Sequence, residues 1–400
     1  MLIAVNTQLS ELETIIAPHL GETFPALALA VIHDGAWLIN TAWGWIDPET
    51  KQHPVTEHTL FDLASITKLF THTAFLQLVS AGAVALDDPL VSVIPEFGES
   101  GARPLDGGQD PHTKERLPTP EDVLNQTADP TRVTFRHLMT HTSGLAPWRD
   151  VYNAAGAPPT PPTQPDPIPR VIRWTNGLKA ICGYPFVGQP GDAVRYSDLG
   201  VMLLGEAVTR LRGAQNLAEV IYEHVKKPLQ LDSPLFNPVR EGGIPQTSIA
   251  PTEDDPTWRK RRCWGEVHDE NACGVGGIAG HAGLFAAAPD VARFGQAWLT
   301  RDERLQIAQP LMNEAVQEQR HNGFRFGLGW MLKGHTDSSA GDYFSPDSYG
   351  HTGFTGTSLW IDPEKRLVVA CLTNRVYPGR WKEGIHAFRR AIHDFFARSV

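Results

Sequence analysis

Residues 26–47, ALALAVIHDGAWLINTAWGWID, read as two apolar runs around an Asp34-Gly35 turn signal, the pattern of a β-hairpin. Comparable runs return near the other end of the chain in FGLGWML, TSLWIDP and LVVACLTN, joined by Gly and Asp-Pro turns, whereas the apolar spacing between the two regions is helical. Strands at both ends with helices between them suggest an antiparallel sheet built from the two termini, flanked by helices. The expected class is α+β. A single unit of 400 residues would comprise an α/β part (about 1–64 and 275–400) and a mostly helical inserted part (about 65–274).

Between these ends, a short amphipathic helix is expected over about Thr7 to Leu20, and an apolar helix over about Ile66 to Ser80, stopped by Gly82. RVTFRHLMTHTSGL suggests a short helix ending at Gly144, YSDLGVMLLGEAVTRL another with Leu199, Met202, Leu203 and Ala207 on its buried face, and a last helix runs over about Lys382 to Phe396. Glu96 to Pro130 and Gly156 to Pro169, rich in Gly, Pro, Asp and Thr, read as surface excursions.

The composition is 41% hydrophobic and 20% charged, enough for a large core. A net charge of −10 argues against nucleic acid or a basic membrane surface and leaves small molecules or short peptides as partners. Cys182, Cys263, Cys273 and Cys371 lack CxxC spacing and read as small buried hydrophobes. The first basic residue is Lys51, so the positive start of a secretory signal is missing, and no apolar run approaches the roughly 20 residues of a membrane span. A cytoplasmic setting is expected.

The chemistry begins at Ser65 and Lys68 in SITK, the start of the apolar helix, where residues three apart share a face. Serine needs a neighbouring base, and burial disfavours an ammonium, so a lysine here is expected to lose its proton and accept that of the serine. The helix N-terminus acts in the same direction. Tyr196 in RYSDLG offers a phenol as a second proton carrier. His351, Thr352 and Gly353 in GHTGFTG form an edge-strand pattern whose small residues admit a substrate backbone and whose N–H groups suit an oxyanion.

The set Ser-x-x-Lys, Tyr-Ser-Asp and His-Thr-Gly resembles the serine beta-lactamase and penicillin-binding protein superfamily, whose class A members carry SxxK, SDN and KTG. RHLMTHTSGL (Arg136 to Leu145) and GEVHDENACGVGGIAGHAGLFAAAPDVARF (Gly265 to Phe294) are similar to segments of its class C-like branch of lactamases, D-alanyl-D-alanine carboxypeptidases, D-aminopeptidases and carboxylesterases. The resemblance spans roughly Phe61 to Asn374 and implies a beta-lactamase/transpeptidase-like fold and an acyl-enzyme serine hydrolase without a cofactor. It further implies Ser65 as nucleophile, Lys68 as proton acceptor, Tyr196 as donor to the leaving group, and an oxyanion hole from the Ser65 and Phe354 N–H groups.

Two positions depart from the pattern. His351 stands where the branch has lysine, and Asp198 where many relatives have asparagine. Neutral imidazole and added carboxylate both weaken attraction for a substrate carboxylate, the group of beta-lactams and D-Ala-D-Ala ends. A carboxylesterase-like activity is therefore expected, with a D-alanyl-D-alanine carboxypeptidase or weak lactamase as the alternative, and a catalytically silent peptide-binding or scaffold protein as the alternative of another class.

Other features read as structural. His137 and His141 are four residues apart but lack the glutamate of HExxH, and His268, Asp269 and His281 are expected to hydrogen-bond loops near the cleft, so no metal site is assigned. GVGGIAG lacks the strand-to-helix surroundings of a dinucleotide loop. No GxSxG is present. Trp148 and Trp264 are placed near substrate.

Overall fold

The computed structural model describes residues 10–322 and 324–400. β1 (Ala26–His33) and β2 (Ala36–Gly44) form the expected hairpin, with Asp34 at φ 49° and Gly35 at φ 79°, the two left-handed residues a tight primed turn requires. Six further strands complete the sheet: β3 (Arg320–Asn322), β4 (Phe324–Phe326), β5 (Met331–Leu332), β6 (Tyr349–Thr352), β7 (Ser358–Asp362) and β8 (Leu367–Thr373). Their order is β3-β4-β5-β6-β7-β8-β1-β2, every neighbouring pair antiparallel, so the sheet joins the two ends of the sequence at β1 and β8.

The alternation of strand side chains explains why β1 and β8 are apolar throughout. Ala28, Ala30 and Ile32 of β1, with Val368, Ala370 and Leu372 of β8, enter the main core. Leu27, Leu29, Val31, Leu367, Val369 and Cys371 enter a second core on the opposite face. A helix covers each face.

The helices that bear on function are α1 (Thr67–Ser80), α2 (Phe135–Met139), α3 (Asp198–Arg212), α4 (Glu270–Gly274), α5 (Ala288–Thr300) and α6 (Ile385–Ser399). α5 brings Val291, Ala292 and Phe294 to the main core, and α6 brings Phe388, Ile392 and Phe396 to the second. α1 is buried on all sides apart from its last turn, which its run of apolar residues and threonines permits. Among the described residues no helix is long and apolar enough to cross a membrane. All four cysteines are buried and unpaired, as the sequence suggested.

Three expectations need correction. The helix expected to reach Gly144 ends at Met139, because His141 turns the chain at φ 56° and Gly144 does so again at φ 75°. The excursion from Glu96 to Pro130 is not wholly superficial: Phe97, Leu105 and Ala128 are core residues, and the guanidinium of Arg103 lies over the rings of Phe97 and Phe186. The last helix begins at Ile385, after Gly384 at φ 103°. Of the N-terminal helix, residues 10–16 are helical, while Thr7 to Leu9 lie outside the described residues.

Candidate active site

Ser65 stands on a rigid corner. The two-residue strand Phe61–Asp62 pairs with Leu284–Ala286, and the Leu63 N–H donates to the Leu284 carbonyl at 2.9 Å. The chain then turns through Ala64–Ile66 into α1, with Ala64 at φ 46°, a left-handed conformation that costs energy for a residue with a Cβ. Asp62 holds the turn: its Oδ1 accepts the Ala64 N–H at 2.9 Å and its Oδ2 the His268 N–H at 2.7 Å.

The β6–β7 turn is fastened to the same corner. The hydroxyl of Thr355 donates to the Asp62 carbonyl at 2.7 Å and that of Thr357 to the Leu63 carbonyl at 3.0 Å. Buried Arg389 of α6 donates to the carbonyls of Gly353 and Thr357 at 2.6 and 2.7 Å. At Gly353 a Cβ would come within 2.6 Å of the Leu63 carbonyl oxygen and 2.1 Å of Thr357 Oγ1, so only glycine allows this approach. β6 is not an outer strand of the sheet. The expectation of an edge strand is thus corrected: β6 lies between β5 and β7, and among the described residues its pairing with β5 covers Tyr349 and Gly350.

Lys68 is buried one turn into α1. Its Nζ lies 2.8 Å from Ser65 Oγ, 2.8 Å from Asp198 Oδ1 and 3.1 Å from the His281 carbonyl oxygen. The first and third are hydrogen bonds from the ammonium and the second is an ion pair. Burial alone would lower the lysine pKa, but the Asp198 carboxylate and Tyr196 outweigh it and hold the group above the ordinary lysine range. The expectation of a lysine deprotonated by burial is overturned, and the residue responsible is the aspartate that departs from the family pattern.

Tyr196 and Asp198 are delivered by the start of α3. Ser197 caps this helix, accepting the Gly200 N–H at 3.2 Å and donating to the Ala146 carbonyl at 2.7 Å. The Ser197 N–H is bound by His141 Nδ1 at 3.1 Å, and the His141 ring packs 4.5 Å from that of Tyr196. The RHLMTHTSGL segment thus aims the tyrosine. Lys68 Nζ lies 4.9 Å from the Tyr196 ring centroid. Burial raises the phenol pKa, against the charge of Lys68 and hydrogen bonding to Lys68 and Ser65, so Tyr196 is neutral at rest.

His351 lies beside this group, its ring 5.9 Å from that of Tyr196. Its pKa is pushed down to about 3 by burial and by the charge of Lys68, so it is uncharged at neutral pH. The Thr352 carbonyl 2.8 Å from Nδ1 fixes the proton there. His72, four residues after Lys68 on α1, is likewise pushed down to about 3, chiefly by burial and also by its neighbours His351 and Lys68. Helical spacing from Lys68 was the signal for His72, which the sequence reading passed over. It also missed the threonine clasp and Arg389, since nothing in their local sequence distinguishes them.

Of the remaining candidates, His137 accepts the Thr134 N–H in a capping box at the start of α2. His268 pairs with Glu253 at 2.9 Å, and Asp269 caps α4 and pairs with His281 at 2.9 Å. Asp198, Asp269 and His281 bring ligand-type atoms within 4.8 Å of one another, and the Lys68 ammonium already supplies the opposing charge at this point. GVGGIAG serves close packing: a Cβ on Gly280 would lie 2.2 Å from the Val201 carbonyl oxygen of α3. Trp148 is buried close to Asp198, whose N–H bonds the Pro147 carbonyl at 3.0 Å. Trp264 instead spends its indole N–H on the Gln246 and Ile249 carbonyls.

The beta-lactamase family model matches residues 12–391. The chain belongs to the beta-lactamase family. It is a serine hydrolase. A putative D-alanyl-D-alanine carboxypeptidase of Escherichia coli K12 is 29% identical over 396 residues, covering 92% of this chain and 82% of that protein. One from Salmonella enteritidis is 29% identical over 92% of this chain and 83% of its own length. Among solved structures, EstCE1, a hydrolase with promiscuous acyltransferase activity, superposes with TM-score 0.69 at 19% identity over 97% of this chain and 100% of its own. A penicillin-binding protein homologue from Caulobacter crescentus gives TM-score 0.66 at 18% identity over 98% and 97%. Both superpositions bear out the expected beta-lactamase/transpeptidase-like α+β fold.

Proposed function

We propose that the protein hydrolyses an ester or amide bond of a small molecule or short peptide through an acyl-enzyme on Ser65, in the manner of a carboxylesterase. The observation that carries this reading is the contact of Ser65 Oγ with Lys68 Nζ at 2.8 Å, with the Tyr196 ring 4.9 Å from the same Nζ. Because the ammonium donates to Oγ, the serine proton is directed away from Lys68, toward Tyr196. Ser65 attacks the carbonyl carbon, its proton passes to the Tyr196 oxygen, and the phenol proton moves to the leaving alcohol or amine. Water reverses the sequence: it attacks the acyl carbon, gives its proton to Tyr196, and Ser65 recovers a proton from the phenol. Lys68 is then a cationic anchor for the developing charge and not the proton acceptor.

The Ser65 and Phe354 N–H groups would receive the oxyanion at the corner where the β6–β7 turn meets α1, between the α/β part and the helical insertion of one catalytic unit. His351 and Thr352 line the strand beside the acyl group, and Asp198 sets the charge of Lys68. Neutral His351 offers no charge to a substrate carboxylate, which supports an esterase over a lactamase. Four buried, unpaired thiols accord with a reducing, cytoplasmic setting.

The test is labelling by a fluorophosphonate, expected in the wild type and absent in Ser65→Ala; labelling retained in that variant refutes the assignment. Turnover of 4-nitrophenyl acetate should exceed that of nitrocefin. The names of the Escherichia and Salmonella relatives favour a second reading, a D-alanyl-D-alanine carboxypeptidase, which fluorescent penicillin bound at Ser65 would support. A folded protein that forms no adduct with any activated ester would be a silent binder.

A further inference from the structure

Two large aromatic side chains are left in solvent at the mouth of the site: Phe354 is 39% and Trp381 69% exposed. They come from different segments, and a third segment joins them. His112 lies with its ring centroid 6.2 Å from Phe354 and 5.2 Å from Trp381. Phe354 follows Gly353, which touches the backbone before Ser65, so the cluster is continuous with the reacting centre.

The arrangement is built. The guanidinium of Arg375 covers the Phe354 ring at 4.4 Å and Nε donates to the Phe354 carbonyl at 2.8 Å, while His268 stacks on the ring at 5.7 Å. Arg380, adjacent to Trp381, is bound by Glu253 at 2.7 Å and Glu270 at 2.9 Å, and Lys114, two residues from His112, reaches Glu270 at 3.3 Å. His112 itself sits in a turn where the Asp110 carboxylate accepts the His112 and Thr113 N–H groups at 2.7 and 2.8 Å. The ion pairs fasten the segments together and also use up one another's charge. What meets a ligand is aromatic surface, backed on the Phe354 ring by the Arg375 guanidinium.

We propose that Phe354, Trp381 and His112 form a subsite for an apolar, preferentially aromatic, substituent of the substrate. The proposal rests on the assignment of Ser65 as nucleophile, and it names the substrate class of that site. A flat apolar group entering here would stack on Trp381 and displace water from both exposed rings, a gain of about tenfold in binding for one well-placed aromatic contact.

Two series of esters test it. In the acyl arm, 4-nitrophenyl phenylacetate is compared with 4-nitrophenyl acetate; in the alcohol arm, phenethyl acetate with ethyl acetate. The wild type is expected to prefer the aromatic member at least tenfold in kcat/KM in one arm, which tells whether the acyl or the alcohol portion lies on the cluster. Trp381→Ala and His112→Ala should each cut that preference to about threefold or less. No preference in the wild type, or one that both variants retain, overturns the subsite. Binding of phenylacetamide by calorimetry needs no turnover: Ser65→Ala/Trp381→Ala is expected to bind at least fivefold more weakly than Ser65→Ala, and equal affinities overturn the proposal. Acetyl-adduct mass on wild-type Ser65 tests the nucleophile separately, so the two failures are distinguishable.

Discussion

Lys68 Nζ and Asp198 Oδ1 stand 2.8 Å apart, with the lysine side chain 1% and the aspartate 20% exposed. The pair keeps a positive charge under Ser65 that burial would otherwise remove. Because the folded-state pKa of Lys68 is raised, the stabilisation from its charge is complete below the unfolded value near 10.5 and disappears as pH rises through the folded value. Asp198→Asn removes the support. The alkaline limb of kcat/KM against pH for 4-nitrophenyl acetate should move to lower pH by at least about one unit, the equivalent of roughly 1.4 kcal/mol. An unmoved limb would show that the lysine charge is set by something else.

Tyr196→Phe keeps the ring that packs on His141 and deletes the hydroxyl to which we assign both proton transfers. Acylation measured by stopped-flow release of nitrophenol should slow by roughly 10²–10⁴, the range for loss of a general acid–base group, with the melting temperature close to wild type. Slowing of less than about fivefold would return the proton to Lys68.

Gly353→Ala inserts a methyl group where 2.6 Å separates its position from the Leu63 carbonyl oxygen. Backbone must move, and the backbone that moves carries Phe354 away from Ser65. We expect a fall in kcat/KM of about 100-fold, typical of an ångström of misplacement, and a stability loss of about 1–3 kcal/mol in urea denaturation. Wild-type kinetics in this variant would mean that the β6–β7 turn does not take part.

The buried histidines make the fold acid-sensitive. His72 and His351 are pushed down to about 3 and His393 to about 4 by burial, so each stays neutral in the folded protein while the unfolded chain takes up protons below pH 6.5. Stability from these groups is full above pH 6.5 and is lost as pH falls toward their folded values. At pH 5.5 each costs roughly 1.4 kcal/mol. Urea unfolding should show His72→Leu losing less stability between pH 7 and 5.5 than the wild type, by about that amount; parallel losses would contradict the assignment.

Much of this was legible in the chain. The Asp34-Gly35 turn, the apolar run LVVACLT, and the helical spacing of Leu199, Met202, Leu203 and Ala207 are local signals, and each reports a physical need that neighbours in sequence satisfy. Motif resemblance supplied the grouping of Ser65, Lys68, Tyr196 and His351, which are 286 positions apart at most, a separation that no period could bridge. The charge of Lys68 was misread because it depends on a competition: burial acts through the residue's own environment, whereas Asp198 acts only once α3 is docked against α1. The long excursion was misread because composition marked it as polar, while a few spaced residues, Phe97, Leu105 and Ala128, bury it in part.

The Ala26 N–H bonds the side chain of Asn374 at 3.0 Å, 348 residues along the chain. Contacts of such range are slow to form, because a long loop must close before they repay its entropy. During synthesis β1 emerges early and, with β2 alone beside it, shows the ribosome's surroundings an unsheltered apolar flank until β8 is translated. Premature termination anywhere before residue 367 should therefore yield aggregated, inert polypeptide, and maturation of this hydrolase is gated by translation of its own closing strand.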